Sequence, residues 1–108
     1  MKVQTVSQLG IGVTVPLVIN TNITPLNVGF GVIVTGTATY TVQHTFDNVF
    51  ADGFNPATAV WFNHPTIVDQ TTNQDGNYAF PITAVRLNVT AVSSGASGAT
   101  MKLIQAGI

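Results

Sequence analysis

The chain has 108 residues, a formal net charge of −1 and only 6% charged residues, against about 25% in an ordinary soluble domain. It has no cysteine, which excludes disulfides and thiolate metal centres, and no glutamate. Its bases are Lys2, Arg86 and Lys102, too few to neutralise a run of phosphates, so nucleic acid is not expected as a direct partner.

Thr and Val dominate, alternation has period two, and no ten-residue window shows helical spacing, so strands are expected throughout. Residues 1–26 read as a less regular N-terminal arm, with two short strands broken at Pro16 and at an Asn-rich turn. The opening MKVQTVSQLG has no apolar stretch of the signal-peptide kind, which implies production in the cytoplasm of a host cell. The run Ile11–Ile19 is interrupted by Gly12, Thr14 and Pro16 and is too short to cross a bilayer, so no membrane partner is expected. Two glycosylation-type sequons, Asn22-Ile-Thr and Asn88-Val-Thr, read as accidents of composition.

Residues 27–35 place Val28, Phe30, Val32 and Val34 on one face, opposed by Gly29 and Gly31, which suggests close packing or a bulge. Residues 37–46 place Ala38, Tyr40, Val42 and Phe46 on one side, with His44 in the remaining apolar slot. The next stretch, DNVFADGFNPA, carries turn signals at Asp52-Gly53 and Asn55-Pro56. Phe46, Phe50 and Phe54 recur there every four residues, as aromatics that would pin a loop to the core. TAVWF, residues 58–62, reads as a short strand. HPTIVDQTTNQDGN reads as a long polar connection whose tightest turn is Asp75-Gly76. Residues 82–92 are the clearest strand, with Val85, Leu87, Val89 and Ala91 opposite Ala84, Arg86, Asn88 and Thr90. SSGASG, residues 93–98, reads as a hairpin loop to a partner strand over ATMKLIQ. Seven or eight antiparallel strands joined by Gly, Asn and Pro turns predict one all-β sandwich domain over 1–108, with the jelly roll as its simplest form.

Two resemblances attach to particular residues. TYTVQHTFDNVF, then Trp61, then YAFPITAVRLNVTA, resembles the discoidin-like, galactose-binding jelly rolls; Pro81-Ile82-Thr83-Ala84 and Arg86 match part of one family motif. Val85 stands where the family has an arginine, and the family's flanking cysteines are absent, so the likeness over residues 37–106 implies a sandwich rather than sugar binding. TVQHTFDNVFADGFNPATAVWFNHP is similar to phage structural proteins encoded near the head genes. That resemblance implies a small virion protein of the capsid decoration or cement type, bound to the major capsid protein or another virion protein and located on the capsid or tail. A surface so poor in charge is poorly protected against self-association, and a homo-oligomer, dimer or trimer, is expected.

The candidate residues follow. His44 on an apolar face reads as a neutral core imidazole holding one hydrogen bond. A metal site from His44, His64 and Asp47 lacks a spacing signature, and no triad order or carboxylate pair stands out, so neither enzymatic activity nor a cofactor is expected. Adjacent strand residues point to opposite faces; of Trp61 and Phe62, Trp61 is the expected core anchor and Phe62 the exposed partner. Arg86, the only arginine, is expected to pair with Asp47, Asp52, a backbone carbonyl or another subunit. The contact residues are expected among Trp61, Phe62, His64, Arg86, Phe50 and Phe54. A sugar platform on an exposed Trp61 or Tyr40 is the alternative, as is a place in the tail or collar.

Overall fold

The computed structural model describes residues 3–19, 27–49 and 51–105. Within them the chain forms two antiparallel sheets and no helix. The first sheet contains β1 (Val3–Leu9), β4 (Val28–Thr35), β7 (Gln74–Tyr78) and β9 (Gly98–Gln105), in the order β1-β9-β4-β7. The second contains β2 (Gly12–Val13), β3 (Leu17–Val18), β5 (Ala38–Thr45), β6 (Trp61–Asn63) and β8 (Ala84–Val92), in the order β2-β8-β5-β6, with β3 also on β8.

β2 and β3 are two halves of one interrupted strand. Gly12 and Val13 oppose Val89 and Asn88, and Leu17 and Val18 oppose Val85 and Ala84, so one extra residue is accommodated between them. Pro16 falls in that gap and has no N–H to give the ladder. Thr14 repairs the break: its N–H donates to the Leu87 carbonyl at 3.0 Å, and its hydroxyl accepts the Leu87 N–H at 3.1 Å. Counted this way, eight strands pair from the outside of the chain inward: β1 with β9, β2–β3 with β8, β4 with β7, and β5 with β6. One long hairpin folded over into two sheets is the jelly-roll winding.

The inner faces carry the alternating apolar residues expected of a sandwich. Phe30 and Val32 of β4, Met101 and Leu103 of β9, Val42 of β5 and Leu87 of β8 are all buried in the core. Each such side chain contributes about 1.5–3 kcal/mol of transfer free energy.

Several expectations change at the level of elements. Residues 3–9, expected within a less regular arm, are a strand paired with β9 along its length. The strand expected over 58–62 lies at Trp61–Asn63, because Asn55 accepts the amides of Thr58 and Ala59 and curls that segment into a turn. Asp75-Gly76 is not a turn but the middle of β7, where Gly76 makes room for Ile67, Phe30 and His64; a Cβ there would lie 3.1 Å from each of the first two. Gly29 and Gly31 lie in an unbulged ladder and face open space. The bulge is in the pairing of β5 with β8, at Thr39/Tyr40; it leaves Thr90 without a ladder partner and turns Ala91 outward. Residues 93–98 do not close a hairpin either: β8 and β9 belong to different sheets.

The two ends of the sandwich differ as a result. One end is closed by tight sheet-to-sheet corners at Gly10, Gly36 and Ser97, tied by the Gly10 amide to the Ser97 carbonyl and the Ser93 amide to the Thr37 carbonyl, both 2.9 Å. The other end receives the connections from β5 to β6 and from β7 to β8 and is lined with aromatic rings.

Candidate functional site

The aromatic end is built around His44. Its position on the inner face of β5 leaves it 4% exposed, and its Nδ1 lies 2.8 Å from the Tyr78 hydroxyl. Four rings surround the imidazole: Tyr78 at 4.9 Å, Phe46 at 5.4 Å and Phe80 at 5.5 Å edge-on, and Phe62 stacked at 6.0 Å. Burial lowers the His44 pKa, and the neighbouring His64 pushes it the same way. Burial raises the Tyr78 phenol far above its ordinary range. Both groups are therefore neutral at neutral pH, and their hydrogen bond is between uncharged partners.

His64, placed among the expected contact residues, is turned inward. Its Nδ1 accepts the amides of Thr66 and Ile67, each at 3.2 Å, which leaves Nε2 to donate to the Asn77 carbonyl at 3.4 Å. Burial lowers its pKa, and the Asn77 carbonyl partly opposes that shift. His64 thus holds the 64–67 turn against Phe30 and Tyr78, with ring centroids at 5.4 and 5.1 Å. Asp47 is engaged elsewhere, accepting the Val60 amide at 3.0 Å. Among the described residues no group of three His, Cys, Asp or Glu side chains converges on a metal position.

Trp61 and Phe62 exchange their expected sides. Phe62 opposes His44 and so lies on the inner side, at the open end, where it is 48% exposed. Trp61 opposes Thr45 on the outer side and is not a core anchor. Its indole N–H donates to the Pro56 carbonyl at 2.9 Å, and the Arg86 guanidinium carbon sits 4.1 Å above its ring. Arg86 Nε donates to Gln43 Oε1 at 2.9 Å, and Gln43 Nε2 donates to Asn63 Oδ1 at 3.1 Å. The row follows from register: Gln43 opposes Arg86 on one side and Asn63 on the other. Of the partners expected for Arg86, none of the acids is engaged; a glutamine and an indole hold it.

Phe54 is half-buried, Phe46 is exposed with Phe62 and Phe80 at the open end, and Phe50 lies outside the described residues. Phe80 and Tyr78 are members of this end that the sequence reading missed. The signal for them was the β7 strand itself, hidden inside a segment that looked like a polar connection.

A second surface is aliphatic. Leu9, Ile11, Val13, Val15 and Val18 are all exposed along the closed end and the free edge formed by β2 and β3, with Ile11 at 69% and Val15 at 71%. Residues 3–46 contain no charged side chain at all. Natural edge strands are guarded by charges, bulges or proline; this one has only Pro16 and the interruption beside it. No family model, curated protein or solved structure compared with the chain matches it.

Proposed function

We propose that this protein is a non-enzymatic structural subunit of a bacteriophage particle, a capsid decoration or cement protein that oligomerises and binds across capsid subunits. The observation that carries the reading is the aliphatic ridge from Leu9 to Val18 on an edge without charge. Exposed apolar area of that kind marks a contact surface, and a particle supplies many symmetric copies that multiply weak contacts through effective concentration. The resemblance of TVQHTFDNVFADGFNPATAVWFNHP to phage structural proteins supplies the kind of particle.

The sugar-platform alternative needs an open aromatic face. Tyr40 is fully enclosed, and one face of Trp61 lies under Arg86, so no observation favours that alternative. The test compares phage heads carrying the protein with heads stripped of it. The reading expects DNA release at a lower temperature from the stripped heads; equal release temperatures overturn a cement role. Imaging of labelled particles separates the capsid from the tail or collar.

A further inference from the structure

The outer face of the second sheet holds an arrangement that the virion reading does not use. Thr41 and Thr45 on this face of β5 are buried, at 4% and 0% exposure, while Gln43 between them is half-exposed. Thr41 is covered by the turn carrying Asp69, whose amide donates to the Thr41 hydroxyl at 3.0 Å. Thr45 is covered by Val60 and Asp47: its hydroxyl donates to the Val60 carbonyl at 2.8 Å and accepts the Asp47 amide at 3.1 Å. What stays open is a saddle floored by Arg86, Gln43 and Asn63.

Arg86 is fixed there at two points, by Nε on Gln43 and by its plane over Trp61. Its terminal nitrogens meet no carboxylate among the described residues. A half-buried guanidinium, already oriented, with its fork free, suits bidentate pairing with a carboxylate. The acid tied to this face by a hydrogen bond to β5 is Asp69, through its amide on Thr41, whereas Asp52 stands in the separate turn held by the Phe54 amide on the Ala51 carbonyl. Asp69 is exposed, is the one described non-glycine residue with positive φ, at 52°, and its carboxylate meets no donor among the described residues. Asp47 is already bonded to the Val60 amide, and Asp75 lies on β7 in the other sheet.

We propose that Arg86 receives the Asp69 carboxylate of a second copy, and that two such pairs close a two-fold dimer through the outer faces of the second sheets. A two-fold contact is self-complementary, so a face carrying one cation and one anion side by side pairs each with its opposite across the axis. This deepens the oligomer in the reading above but is tested without any particle, so failure of head binding leaves it standing and its own failure leaves the ridge standing.

The experiment measures the self-association of the full chain by sedimentation for wild type, Arg86→Glu, Asp69→Arg and the double exchange, with circular dichroism and melting temperature to show that each variant is folded. Wild type should dimerise, each single reversal should weaken the dimer at least tenfold, and the double exchange should restore it. Arg86→Gln, which keeps a polar side chain beside Gln43 without the charge, should also weaken it. A wild-type chain that stays monomeric, single reversals that leave the dimer intact, or a double exchange that fails to restore it overturns the proposal.

Discussion

At the scale of single residues, His44 is a buried polar side chain enclosed by aromatic rings. It packs against four rings and holds one hydrogen bond to Tyr78. His44→Gln keeps a group able to bond the Tyr78 hydroxyl and should cost about 1–2 kcal/mol, mostly from lost ring packing. His44→Asp would bury a carboxylate among phenylalanines and should cost more than about 3 kcal/mol. Urea unfolding of the two variants reads the difference; equal losses would mean that the site is wetter than its burial implies. Acid should also weaken the fold. Both imidazoles have folded-state pKa values below the ordinary value, so below about pH 6.5 the unfolded chain takes up protons that the folded one refuses. Stability should therefore fall as pH drops through that value, by up to about 1.4 kcal/mol per pH unit for each histidine. Urea midpoints between about pH 7.5 and 5 should show the slope, reduced in His44→Gln.

At the scale of elements, three glycines in strands should respond to substitution in opposite ways. At Gly98 a Cβ would collide with the Gln8 carbonyl oxygen and sit 2.8 Å from the Leu9 Cα, so Gly98→Ala should cost about 3 kcal/mol by forcing β1 away from β9. Gly76→Val meets Ile67 and Phe30 and should cost about 1–3 kcal/mol. Gly31 faces open space, so Gly31→Val should be neutral or stabilising by up to about 1 kcal/mol. Thermal melts of the three variants check the order. The sequence displayed strands where the period-two pattern was long, as at residues 28–34 and 84–89. It hid β7, because Asp75-Gly76 is a turn signal wherever no neighbour demands the space, and here Ile67, Phe30 and His64 do. It also hid which side of β6 is inward: Trp61 and Phe62 alternate whichever way the short strand is turned, and only pairing with β5 decides.

At the scale of the whole molecule, the all-β sandwich was legible from alternation and turn spacing, whereas the pairing of strands was not. Local rules favour hairpins between sequence neighbours, yet β5 and β6 are the only consecutive strands paired among those described. The candidate site was legible only in fragments. Arg86, Trp61 and Phe62 could be named, but the saddle depends on a register that brings residues 43, 63 and 86 into one row. The aliphatic ridge leads to a prediction at this scale. Val15→Lys or Ile11→Lys should change stability by less than about 0.5 kcal/mol, because both side chains are exposed. The same changes should raise solubility and abolish attachment to heads. Light scattering and a head co-sedimentation assay check both, and unaltered attachment would locate the contact elsewhere.

The outside-inward pairing has a consequence for biosynthesis. β9 lies between β1 and β4 in the first sheet, so two strands synthesised before it must wait for it. During that interval the nascent chain holds unfilled backbone donors and acceptors on both, and ladder completion depends on bridging long sequence separations. Folding of this protein should thus be slow for its size, with the pairing of Gly98–Gln105 as the step that locks it.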